Sequence, residues 1–176
     1  MRSEHLFRTL DTIQTQVRAF DTKAQIVLGV DGIILGFLSL NGATIGTAIA
    51  KRFPNCLAIG LSLAYIVALL TLVFSLYYVF ATVRPRKDFG QPTSRLFFFH
   101  LTSRYEYDYE TAKKDLAAMT EDELGADLAE QILANAHVCD AKSNCLNRAL
   151  FWLELSVGAW VSTLCAVVFF AAIHGW

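Results

Sequence analysis

The chain has 176 residues, enough for one domain of ordinary size, and 55% of them are hydrophobic, more than a typical soluble domain carries. Its net charge of −1 leaves no global basic field that would argue for nucleic acid. The cysteines at 56, 139, 145 and 165 form no C-x-x-C pair and no disulfide-like framework. His137, Cys139 and Cys145 are the nearest approach to a metal cluster and fall short of the four ligands a zinc site needs, so no metal is expected and the cysteines read as packing residues.

The first twenty residues include Arg2, Glu4, Arg8, Asp11 and Arg18 and offer no continuous apolar stretch for a cleavable signal peptide. They carry a regular seam instead. Leu6, Leu10, Ile13, Val17, Phe20, Ala24 and Val27 alternate by four and three, the spacing of contact positions between packed helices. This predicts a cytoplasmic helix over 3–23 that enters the membrane through a first span at 24–40, with a re-entrant or interfacial helix as the alternative for that short segment. Asp21 and Lys23 mark the juxtamembrane point.

Continuing the count past Val27 gives Asp31, then Ile34 and Leu38. A carboxylate in hydrocarbon is costly, so Asp31 is expected to face protein or water. Either it bonds to Ser62, Tyr65 or Thr71, or several copies form an acidic ring around a cation-permissive pore. One residue round the helix, Gly29, Gly32 and Gly36 form a small-residue line of the kind that lets helices approach, within one subunit or between subunits. Residues 41–56, broken by Pro54, read as a short outer loop.

Residues 53–83 contain no charge, and 57–83 form the second span, longer than the ~20 residues needed to cross a bilayer core. A cytoplasmic helical region follows over 84–148. Gly90 and Pro92 keep its first part a loop, residues 96–99 form a short apolar patch, and 103–119 read as a helix. Thr120 and Glu123 have the spacing of a capping box, which opens a helix leading through Asp140 and Lys142 into the third span at 149–173. Glu154 lies near the cytoplasmic edge of that span. Trp152, Trp160 and Trp176 are candidate interfacial anchors. Asp21-Thr-Lys23 corresponds loosely to Asp140-Ala-Lys142, which suggests two long helices side by side, reaching ~40 Å into the cytoplasm at 1.5 Å per residue.

Thirteen Lys and Arg residues fall on one side of this topology and only Lys51 and Arg52 on the other, so the N-terminus is expected inside and the C-terminus outside. The fold class is an all-α membrane protein, three transmembrane helices with long cytoplasmic helical extensions, in a single domain over 1–176. No H-E-x-x-H, G-x-S-x-G or phosphate-binding glycine loop is present, and the four histidines are scattered. No catalytic residue is assigned, no cofactor is implied by the residues, and the chain is not expected to be an enzyme.

Several short motifs, in order and spacing, resemble a known family. They are Asp21-Thr-Lys23-Ala24 before the first span, Arg95-Leu-Phe97-Phe98 after the second, Tyr109 with Leu116, Glu121 to Leu124 followed by Ala129-Glu-Gln131-Ile132, and Lys142 before the last span. Together they span nearly the whole chain and are similar to the transmembrane effectors of the bacterial Pycsar antiphage system. The resemblance implies an effector of the bacterial inner membrane in abortive infection, functionally linked to a pyrimidine nucleotide cyclase. Its activating ligand would be a cyclic pyrimidine nucleotide, cCMP or cUMP, and the likeness carries no established ligand residues. A binding site would need a cation for phosphate and a flat face for the base, which Arg95, Phe98, Arg104, Tyr105 and Tyr107 offer. Juxtamembrane anchoring is the competing role for those five. The expected partners are the lipid bilayer and other copies of the chain in a homo-oligomer that forms or opens a pore, the alternative being a non-conducting scaffold that recruits a soluble partner.

Overall fold

A computed structural model describes residues 2–52, 55–84, 105 and 108–173. Apart from Arg84, Asp108 and the turn at 118–120, every one of these is helical, and no strand occurs among them. Among the described residues four helices are laid out in chain order: α1 (Arg2–Arg52), α2 (Asn55–Val83), α3 (Tyr109–Ala117) and α4 (Glu121–Ile173). Three of them, α1, α2 and α4, are long and apolar enough to cross a membrane by length and composition. The protein is an all-α membrane protein.

Two of the expected boundaries move. The outer loop over 41–56 is instead the last part of α1, which continues to Arg52 before α2 restarts at Asn55. Asn41 and Gly42 have turn chemistry, but glycine inside a helix costs only about 1 kcal/mol and no proline stands before Pro54 to stop the helix. The helix expected over 103–119 is divided. Asp108 is a cap: its carboxylate accepts from the Thr111 amide at 3.1 Å and the Thr111 hydroxyl at 2.7 Å, and α3 starts after it. The Thr111 hydroxyl, then its amide, hold this carboxyl below the usual aspartate range. The contribution of the cap is therefore complete above the ordinary aspartate value and fades as pH falls through the lowered one. At α4 both bonds of the box are made, Glu123 amide to Thr120 Oγ1 at 3.3 Å and Thr120 amide to Glu123 Oε2 at 2.9 Å.

The chain forms two compact units, Met1–Asp21 with Arg84–Ser143 and Thr22–Val83 with Asn144–Trp176. In the first, α1 and α4 run parallel. Leu6 packs toward Gly125, Gln16 accepts from the Cys139 thiol at 3.7 Å, and Asp21 meets Lys142. Leu10 and Leu128 are buried in this unit, as are Tyr105, Asp127 and Gln131. The Tyr105 hydroxyl donates to Asp115 of α3 at 3.0 Å.

The second unit is a three-helix bundle. The four-three seam of α1 turns inward: Ala24, Val27, Asp31 and Leu38 are buried, and α2 contributes Leu61, Ala68, Leu72, Ser75, Val79 and Thr82 at matching intervals. Leu61 closes one end against Ala166, Val167 and Phe170 of α4. Phe37 meets Trp160 edge-on at 5.2 Å, and Phe74 stacks on Trp152 at 5.1 Å. Tyr65 donates to the Leu38 carbonyl at 2.7 Å, linking α2 to α1.

Gly42 is what lets the tyrosine reach that carbonyl, because a Cβ there would lie 2.7 Å from the Tyr65 hydroxyl oxygen. Gly42→Ala is expected to lower the unfolding midpoint of the detergent-solubilised protein. Tyr65→Phe costs about 0.6 kcal/mol by losing one interhelical bond. The double variant Gly42→Ala/Tyr65→Phe should then be no less stable than Tyr65→Phe alone, since the colliding oxygen is gone. A double variant that adds both losses would contradict this contact.

Candidate functional site

In the membrane-type bundle the hydroxyl side chains bond either across to a neighbouring helix or back to their own. Ser75 of α2 is fully buried, with its hydroxyl 2.9 and 3.2 Å from the two carboxyl oxygens of Asp31 and 3.1 Å from the Ala149 carbonyl of α4. One hydroxyl proton thus has acceptors on both neighbouring helices. One turn and more away, Ser156 of α4 donates to the Ala68 carbonyl of α2 at 2.8 Å. A carbonyl has two lone pairs, so Ala68 and Ala149 accept these bonds without giving up their own helix. Thr71, Thr82 and Thr163 turn their hydroxyls back to carbonyls of their own helices.

Asp31 therefore has its partner inside the chain, and that partner is Ser75, not Ser62, Tyr65 or Thr71. The reason is the longer α1. A loop over 41–56 would fold Asp31 back onto the middle sixties of α2. With α1 running to Arg52 and α2 starting at Asn55, residue 31 stands opposite the middle seventies instead.

Gly29, Gly32 and Gly36 lie on an exposed line of α1, and a Cβ at any of them would meet nothing within 4 Å. The packing of this chain does not use their smallness. Glu154 is exposed on α4 and has no hydrogen-bond or ion-pair partner among the described residues. Its depth also differs from the expectation. Ser156 bonds to Ala68, the fourteenth of the 29 residues of α2, so Glu154 stands near the middle of the uncharged helix and not at its edge.

In the other unit, Lys142 is buried and ion-paired with Asp21, whose side chain is 34% exposed. The two motifs that read as a loose repeat thus engage crosswise, while Lys23 and Asp140 lie exposed on their helices. Of the residues considered for a ligand, Tyr105 is buried with its hydroxyl on Asp115. Arg95, Phe98, Arg104 and Tyr107 lie outside the described residues. No group of three or more His, Cys, Asp or Glu side chains is placed to hold a metal among the described residues.

Removing one partner of the Asp21–Lys142 pair leaves a buried ammonium. Asp21→Asn is expected to cost about 1–2 kcal/mol, below the ~3–5 of a fully buried pair because Asp21 is partly solvated. Lys142→Met, added to it, should restore most of the loss by replacing the ammonium with a side chain of similar volume. Urea or thermal unfolding of the four proteins in detergent measures the coupling. Additive losses would mean the pair is not formed.

Among curated proteins and solved structures, none matches the chain. A family model does, that of the Pycsar effector protein domain, over residues 5–172. That interval takes in both compact units and all three long apolar helices, with the buried Ser75 junction and the Asp21–Lys142 pair inside it. A match of this extent, on a chain whose helices have the length and composition to span a membrane, settles the family: the chain belongs to the Pycsar effector proteins.

Proposed function

We propose that this Pycsar effector sits in the bacterial inner membrane with its N-terminus cytoplasmic and its C-terminus periplasmic, and acts as a homo-oligomer that opens a conducting path. The trigger is a cyclic pyrimidine mononucleotide, cCMP or cUMP, made by a partner nucleotide cyclase when phage infects the cell. The observation that carries this reading is the family match over 5–172 on a chain with three long apolar helices. Orientation rests on the distribution of Lys and Arg, thirteen against two.

The nucleotide acts only by favouring one arrangement of the chain over another, and the size of that preference sets what it can do. Turning a population of 1:99 into 99:1 takes about 5.5 kcal/mol of differential binding. A phosphate held by one guanidinium and a base stacked on one ring supply energies of that order: charge-assisted bonds give roughly 1.5–3 kcal/mol each and stacking about 1–3. Arg95, Phe98, Arg104, Tyr105 and Tyr107 are the residues we assign to this task. Several spans in one assembly then have a route to a water-filled path that one three-helix bundle, filled by its own side chains, does not have.

In cells producing the protein, added cCMP or cUMP is expected to collapse the signal of a membrane-potential dye at the dose that stops growth. Growth arrest with the potential intact would overturn the conducting reading and leave the non-conducting scaffold. Arg95→Ala and Arg104→Ala should each raise the effective nucleotide dose by about tenfold, the equivalent of one lost ~1.4 kcal/mol contact.

A further inference from the structure

The junction at Ser75 has more acceptors than its hydroxyl can serve. Its oxygen stands 2.9 and 3.2 Å from the two oxygens of Asp31 and 3.1 Å from the Ala149 carbonyl. A serine carries a single O–H and donates fully to one side only. An ionised carboxylate only accepts, so a charged Asp31 would draw that proton to itself. The Ser75 and Ala149 oxygens would then face each other at 3.1 Å with no hydrogen between them.

A second proton removes the conflict. With Asp31 as the neutral acid, its O–H donates to Ser75 Oγ, and the Ser75 O–H donates onward to the Ala149 carbonyl. The bonds then run in one direction across three helices, and each strengthens the next.

No cation is placed to balance a charge on Asp31. The side chain is fully buried, and Ser75 is its bonding partner among the described residues. Helix α2 carries no charged residue, and its Tyr78 ring lies 5.7 Å from the Arg148 guanidinium. On α4, Cys145 is half-buried one turn before Ala149, while Arg148 and Glu154 are exposed. On α1 the nearest charge in sequence is Lys23, eight residues before Asp31 and exposed. None of these groups is bonded to or ion-paired with Asp31. An intramembrane ion without such a partner is costly.

We infer that Asp31 is the neutral acid in this bundle, and that the Asp31–Ser75–Ala149 chain is a proton-loaded latch closing α1, α2 and α4. Its release rests on the conducting reading above. When water enters between the helices, the Asp31 O–H bond breaks and the proton passes to that water. The carboxylate left behind takes the Ser75 O–H as its donor, and Ser75 lets go of Ala149. The nucleotide and the loss of the proton favour the same state, so each makes the other easier. Because the closed state holds one more proton per chain, raising the pH favours opening.

Infrared spectra and potassium efflux from liposomes containing the purified full-length protein test both halves. Without nucleotide the wild type should show the carbonyl stretch of a protonated carboxylic acid, lost in Asp31→Asn and kept in Glu154→Gln. Asparagine has the shape of the neutral acid and a donor for Ser75, so Asp31→Asn should fold. Adding cCMP or cUMP should remove the wild-type band as potassium leaves. The half-effective dose for the wild type should fall at least threefold per pH unit between about pH 6 and 8, up to the tenfold of one proton per nucleotide. In Asp31→Asn, which cannot ionise, the dose should be higher and vary less than twofold over that range. The absence of any acid band removed by Asp31→Asn overturns the latch. A band that persists while nucleotide drives efflux, or equal pH slopes in the two proteins, overturns its release. If the band is present and nucleotide never drives efflux, the conducting reading falls, the release falls with it, and the neutral acid stands.

Discussion

Water cannot satisfy a polar group in hydrocarbon, so every hydroxyl, carbonyl and carboxyl in the bundle must find its partner in protein or stay outside the lipid layer. Ser75 is where this constraint presses hardest. Its hydroxyl lies within bonding reach of both neighbouring helices, at Asp31 on α1 and at Ala149 on α4. Interhelical bonds of this kind average only about 0.6 kcal/mol, so they do not supply most of the stability. Dense packing around Leu38, Leu72 and Val79, all fully buried, does that. The polar bonds choose the register. Sliding α2 by one turn so that Val79 stood where Ser75 does would leave the Asp31 carboxyl without its hydroxyl partner, at about 1–3 kcal/mol.

Register in turn decides where the two acids of the bundle face. Once α2 is pinned by Ser75 and by Ser156 on Ala68, Asp31 is consumed inside the chain and Glu154 is carried to mid-depth facing outward. A pair of hydroxyls thus sets which of the two carboxylates is buried and which faces outward. In the other unit the Lys142 ammonium is buried against Asp21.

Much of this was legible along single helices. The four-three spacing on α1 found Leu10, Ala24, Val27, Asp31 and Leu38, all buried, because helix periodicity is a local property. The Thr120–Glu123 cap was legible for the same reason. Pairings across the fold were not. Placing the turn at 41–56 moved the mirror point of the α1–α2 hairpin and pointed Asp31 at Ser62, Tyr65 or Thr71, with Ser75 overlooked. Glu154 looked peripheral because depth counted along α4 alone ignores where α2 holds it. Lys142 and Asp21 are 121 residues apart in sequence, and only the parallel run of α1 beside α4 joins them.

The central proposal is that copies of this one chain, given the nucleotide, make a bilayer permeable to cations without any other protein. Potassium efflux from liposomes containing only the purified protein tests this most directly. The account predicts rapid efflux on adding cCMP or cUMP and no release of a trapped anionic dye. Liposomes that keep their potassium while the embedded protein binds the nucleotide would contradict it.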